Sequence, residues 1–258
     1  MNVENQKYPW RLFLVLWAMA VFGLICVIPY TMTLQAEQLQ TTELPMALEW
    51  LLLLQISANA LFFGLLTGLG VWLADRIGKG APFLEAVIYR KPLPEKLKSV
   101  LLISVITGLL TGFLIIVLDS RIFNLEQLGL DLPALPDPPA WQGFLASFYG
   151  GITEEILFRL FFLSLLIWLF RLLLKEKYKR YQIPVFWTAN ILIAVLFGLG
   201  HLPATVASGL PLNAFIITRA IVLNGIGGIV FGWLYWRNGL EGAMAAHFSA
   251  DIVVHVIF

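Results

Sequence analysis

The sequence predicts an all-α fold, a polytopic bundle of about seven transmembrane helices with eight as the alternative count, on three observations. First, the 258 residues are 59% hydrophobic and 13% charged, with a mean hydropathy of +0.84, which sets aside a soluble globule. Second, apolar runs of roughly 18 to 25 residues recur along the chain, each able to cross about 30 Å of hydrocarbon as a helix. None alternates like a barrel strand, and only helices or closed barrels satisfy their backbone in lipid. Third, Lys and Arg gather in every second loop, the pattern that sets membrane orientation.

The spans are 12–30, 47–74, 100–118, 143–174, 184–207, 213–236 and 240–258. Lys7 and Arg11 precede the first span, which reads as a retained signal anchor because no small-residue cleavage site follows it. It holds Cys26, the single cysteine, so an internal disulfide and a cysteine-based zinc site are excluded. The interiors of the second and third spans lack Asp, Glu, Lys, Arg and His and carry small residues at packing spacing, Gly64 with Gly68 and Gly108 with Gly112. The Pro- and Asp-rich loop 119–142 cannot continue a helix and divides the chain into a scaffold, 1–142, and a chemistry-bearing domain, 143–258.

Basic residues fill 75–98 and 175–182, whereas 31–46 and 201–211 hold none. The basic loops are therefore expected in the cytoplasm, with the N-terminus inside and the C-terminus outside a cell membrane. The net charge of +1 conceals this asymmetry and points to no nucleic-acid partner; the bilayer is the expected partner.

The domain 143–258 holds the ionisable residues at membrane depth, where a charge costs at least about 2.5–3.5 kcal/mol on insertion scales. In "GGITEEILFRLFF", Glu155 and Arg159 stand four apart with the acid first, the favourable order for an ion pair. Glu154 is rotated about 100° away and meets Phe158 at i+4, so it is left over for chemistry. The alternative is that both acids share Arg159 and only pin helices together. Gly150 and Gly151 are expected to leave room beside Glu154 for a substrate or a water.

"FGLGH" places Phe197 one turn before His201, and Pro203 then opens the helix. "HFSAD" sets His247 and Asp251 on one face, able to bind a metal or to let the Asp orient the imidazole. Glu154, His201 and His247 form a candidate zinc set, while one carboxylate and one His can equally activate a water with no metal. No serine stands beside a base at helical spacing, so hydrolysis by activated water is the expected reaction class. Arg219, Asn224 and His255 read as snorkelling, helix-pairing or interfacial residues. Counted along straight helices, Glu154, His201 and His247 fall at different depths, so tilted or broken helices are expected.

"EEILFR", "FGLGH" and "HFSAD" resemble, in order and approximate spacing, the EExxxR, FxxxH and HxxxN/D motifs of the CAAX prenyl protease type II and bacteriocin-processing (CPBP, or Abi) family of intramembrane proteases. The resemblance covers roughly 140–255. It implies an endopeptidase, metallo- or glutamate-dependent, in which Glu154 and His201 activate water and His247 and Asp251 stabilise the oxyanion. Glu155 and Arg159 would support the first motif and Phe197 the second, and the substrate would be a protein or peptide, lipidated in some members. Asp251 departs from the Asn common in prenyl proteases, since an ionised Asp donates no hydrogen bond. The rival reading is a transporter or proton-coupled channel using the same residues as a relay.

Overall fold

The structure, a computed structural model, describes residues 8–41, 43–124 and 137–258, so most of the loop expected to divide the chain lies outside the described residues. Six runs are long and apolar enough to cross a membrane: Trp10–Leu34, Leu48–Arg76, Leu97–Arg121, Ala140–Ala207, Ala214–Asn238 and Leu240–Ile257. The fourth folds back on itself at Lys175, which has a φ of +47°, and the pairs Arg171 with Tyr178 and Phe158 with Phe197 match an antiparallel hairpin. With that hairpin counted as two, the described residues make seven passages.

In chain order the helices are α1 (Trp10–Cys26), α2 (Ile28–Leu34), α3 (Ala36–Thr41), α4 (Leu48–Arg76), α5 (Pro82–Ile88), α6 (Leu97–Arg121) and α7 (Ala140–Phe148). Two π-helical segments follow, π1 (Tyr149–Glu154) and π2 (Ile156–Leu163), then α8 (Ser164–Leu174), α9 (Tyr178–Gly200), α10 (Leu202–Ala207), α11 (Ala214–Asn238), α12 (Leu240–Ile252) and π3 (Val253–Ile257). Leu65, Leu110 and Leu173 are exposed while Glu155 and Arg159 are sealed inside. Apolar outside and charged inside is the distribution a lipid solvent imposes.

Glycines set how closely the helices approach. A Cβ on Gly108 would stand 2.1 Å from the Ala246 carbonyl oxygen, and one on Gly112 2.7 Å from that of Ala250, so α6 lies backbone to backbone against α12. Elsewhere in the bundle α11 packs on α9 through Gly228 against Ala194 and Gly232 against Asn190. Asn190 there donates to the Ile229 carbonyl at 2.9 Å. The pair Gly108 and Gly112, read in the sequence as a packing site, therefore is one.

The segments before and after residue 142 share one core, in which Leu16, Ala20 and Phe63 meet Ile156, Leu160 and Phe197. Trp17 donates to the Ala60 carbonyl at 2.8 Å, fixing α1 on α4. At one end of the bundle Lys79 donates to the Trp236 carbonyl and lies 4.1 Å from that ring's centre, while Glu241 accepts from the Phe83 and Leu84 amides. Burial, and after it the Arg237 charge, lowers the Lys79 pKa. At the other end Arg219 donates twice to Asp119 at 2.7 Å, so it joins α11 to α6.

Candidate active site

Where the sequence suggested an ordinary α-helical face, the backbone widens into π1 and π2, with Glu155 between them. Such insertions recur at functional sites because an extra residue per turn re-aims the side chains around it. The widened turn leaves the Arg159 carbonyl to accept from Ser164, five residues on, at 3.1 Å, and Ser164 also meets the Tyr235 hydroxyl at 2.8 Å. Both glutamates consequently point toward α12, but into different surroundings.

Glu155 is sealed from solvent. Its Oε2 stands 3.2 Å from Arg159 Nε, the pair expected from their spacing, though held by charge and without hydrogen-bond geometry. Its Oε1 accepts from His247 Nδ1 at 2.7 Å, a partner the spacing did not reveal. Arg159 in turn donates to the Gly228 carbonyl at 3.2 Å and lies 5.0 Å from the centre of the Phe197 ring. One carboxylate thus ties the fourth and last passages together, and Arg159 adds the sixth.

Glu154 is different, with a side chain 15% exposed and its Oε2 3.8 Å from His247 Nε2. Asp251 Oδ1 stands 3.5 Å from the same nitrogen. The imidazole is therefore oriented by Glu155 through Nδ1, while Nε2 faces two carboxylates. Phe231 stacks on the ring at 4.5 Å between centres and Phe197 meets it edge-on at 5.7 Å.

Gly150 and Gly151 do not leave open room, contrary to the expectation from sequence. A Cβ on Gly150 would stand 2.0 Å from Asp251 Oδ2 and 3.1 Å from His247 Nε2, and one on Gly151 2.8 Å from Phe248 Cβ. The missing side chains are filled by α12, which is how Asp251 comes so near Glu154.

His201 ends α9, and Leu202 with Pro203 starts α10. Its Nδ1 donates to the Phe197 carbonyl at 2.8 Å, which leaves Nε2 as the acceptor and proton-accepting nitrogen. Phe197 lies edge-on to its ring at 4.7 Å, so the aromatic residue of that motif touches both imidazoles. Glu154, His201 and Tyr149 line one cavity of about 840 Å³, walled on the far side by α1, α2 and α4. The depth conflict read from the sequence thus resolves: Glu154 and His247 are level, and His201 reaches the same cavity from nearer one end. His255 is no free interfacial residue, since its Nδ1 lies 3.2 Å from the Tyr30 hydroxyl and its backbone abuts Gly143. The contributions of Phe231, Tyr149 and Tyr30 had no signal in the sequence.

Three carboxylates and one guanidinium gather around the His247 ring, so this cluster approaches neutrality only when His247 carries both ring protons and one carboxyl is protonated. Nitrogen and oxygen donors of these kinds suit zinc, but among the described residues no three His, Cys, Asp or Glu side chains converge to hold a metal ion. The Glu154, His201 and His247 set does not fit a metal as placed.

Residues 136–253 match the family model described as Type II CAAX prenyl endopeptidase Rce1-like, the family whose three motifs the sequence resembles. The matched stretch holds Glu154, Glu155, Arg159, Phe197, His201, His247 and Asp251, and excludes α1 to α6. No curated protein and no solved structure matches the chain.

Proposed function

We propose that this protein is an intramembrane endopeptidase that hydrolyses a peptide bond with a water activated by Glu154 and His201. The observation that carries the reading is Glu154: a carboxylate free of hydrogen bonds among the described residues, facing a cavity it shares with His201, 3.8 Å from an imidazole whose other nitrogen is fixed. Family membership of the matched segment supports the reaction class.

Glu154 takes a proton from water while His201 Nε2, its Nδ1 fixed on Phe197, orients that water or shares the proton. The hydroxide oxygen adds to the carbonyl carbon, and the carbonyl π electrons move onto oxygen. His247 donates from Nε2 to the oxyanion, as it can when Glu155 holds Nδ1–H, and a protonated Asp251 donates beside it. Collapse breaks the C–N bond as Glu154 passes its proton to the leaving nitrogen. Arg159 keeps Glu155 charged and in place.

The relay alternative has less support, because the ionisable side chains at this depth gather round His247 instead of forming a path, and Arg219 is tied to Asp119. The same proposal places the loops 75–98 and 175–182 in the cytoplasm on their basic residues. The test is purified protein with internally quenched apolar peptides, farnesylated at a CAAX terminus and unlipidated, with and without a chelator. Turnover that survives chelation within about twofold and is lost in Glu154→Gln is expected. No turnover of any peptide overturns the reading, and turnover abolished by chelation overturns the metal-free step.

A further inference from the structure

Gln55 and Asn59 stand on α4, outside the segment that matches the family model, yet they line the cavity with Glu154 and His201. Gln55 is exposed and Asn59 half-buried. Among the described residues neither carboxamide has a hydrogen-bond partner, which is an unfavourable arrangement at membrane depth unless something else supplies one.

Their level follows from the register of α4 against the fourth passage. Gly70 packs on Leu160, Trp72 meets the Trp168 ring at 5.4 Å between centres, and Arg171 donates to the Arg76 carbonyl. The offset stays between 90 and 96 residues along these contacts, so the two elements run parallel. Carried back, that register sets Glu154 level with residues 58–64 of α4. Asn59 falls within that window and Gln55 stands one turn beyond it.

A protease must hold its substrate extended, and an extended chain in an apolar cavity exposes backbone N–H and C=O groups that lipid cannot satisfy. A carboxamide offers both a donor and an acceptor, the complement of one peptide unit. Along α4 the two residues rise about 6 Å apart, close to the roughly 6.6 Å between alternate peptide units of an extended strand. The other α4 residues on this wall, such as Leu51, Leu52 and Ile56, are apolar and carry no such groups.

We infer that Gln55 and Asn59 form a two-rung strip that binds the backbone of an extended substrate segment beside the bond to be cleaved. This rests on the endopeptidase reading and supplies it with a substrate form: an unwound, apolar stretch of peptide, read by its backbone and not by its side chains.

The test compares wild type, Gln55→Leu and Asn59→Leu on the quenched peptides above and on copies N-methylated at single backbone amides. Binding of the same peptides is measured separately by fluorescence on Glu154→Gln protein carrying each Leu substitution. Each substitution should raise KM and weaken binding about three- to tenfold, with kcat within about twofold and an unchanged melting temperature. N-methylation at one or two positions should weaken wild type similarly and add nothing in the matching Leu variant. Unchanged KM and binding in both variants overturns the inference while leaving the endopeptidase reading intact. Binding weakened as described without turnover by wild type sinks that reading and keeps the strip. Variants that change only the oligomeric state make these residues a helix-pairing face, and a protein that binds none of the peptides removes both proposals.

Discussion

The adjacent acids Glu154 and Glu155 should respond oppositely to the same substitution. In Glu155→Gln the shape and the acceptor for His247 Nδ1 remain, but Arg159, itself almost fully buried, loses the carboxylate 3.2 Å away. Its remaining partners are one carbonyl at 3.2 Å and the faces of Phe197, Phe231 and Phe158 at 5.0, 5.6 and 6.0 Å. Leaving one member of a buried pair uncompensated costs roughly 3–5 kcal/mol. At about 2–4 °C per kcal/mol this lowers the melting temperature by about 6–20 °C. Glu154→Gln removes a carboxylate that reaches the cavity and makes no hydrogen bond, so its melting temperature should stay within about 2 °C while turnover falls at least about 10²-fold. The assay is thermal unfolding in detergent beside peptide turnover for both proteins. A Glu155→Gln protein that melts with wild type refutes the buried-pair argument, and a Glu154→Gln protein that cleaves normally removes Glu154 from the chemistry.

Gly150→Ala puts a methyl 2.0 Å from Asp251 Oδ2, a flexible side-chain end, so Asp251 should swing aside and turnover fall about 10²-fold with expression retained; unchanged turnover refutes the placement. Gly108→Ala instead meets backbone at 2.1 Å and should cost about 1–3 kcal/mol in thermal unfolding, while Gly225→Ala, 3.7 Å from the Ala194 oxygen, should be near neutral. A Cys at Lys91, an exposed position, should resist an impermeant external thiol reagent in intact cells, since the native Cys26 is buried; labelling from outside reverses the orientation.

Several features were legible because they are properties of spacing. The Glu155 and Arg159 pair, the close approaches at Gly108 and Gly112 and the gathering of Glu154 with His247 all follow from local periodicity or from the cost of charge in lipid. What escaped the sequence depends on which helices become neighbours. Nothing near Phe231 indicates that it will stack on His247, and nothing near Glu155 indicates that its second oxygen will hold that imidazole. Gly150 was misread because a glycine reports that space is needed but not who takes it. The first 142 residues looked like inert scaffold because the interiors of their spans carry no charged group, yet Gln55 and Asn59, uncharged and so inconspicuous, reach the same cavity as Glu154.

The π-helical segments explain why two consecutive acids stand here. On a regular α-helix, neighbours diverge by about 100°, so only one of two adjacent side chains could address α12. Between π1 and π2 the turn widens, and both glutamates reach the same imidazole, Glu155 at Nδ1 and Glu154 toward Nε2. Their inequality then follows from burial alone. The sealed carboxylate is bound on both sides, by Arg159 and His247, and its charge is consumed in holding them. The other keeps an open edge toward the cavity, where a water can reach it. Because Glu155 is already engaged with the guanidinium and the ring, Glu154 is the carboxylate to which the proposed mechanism gives the water.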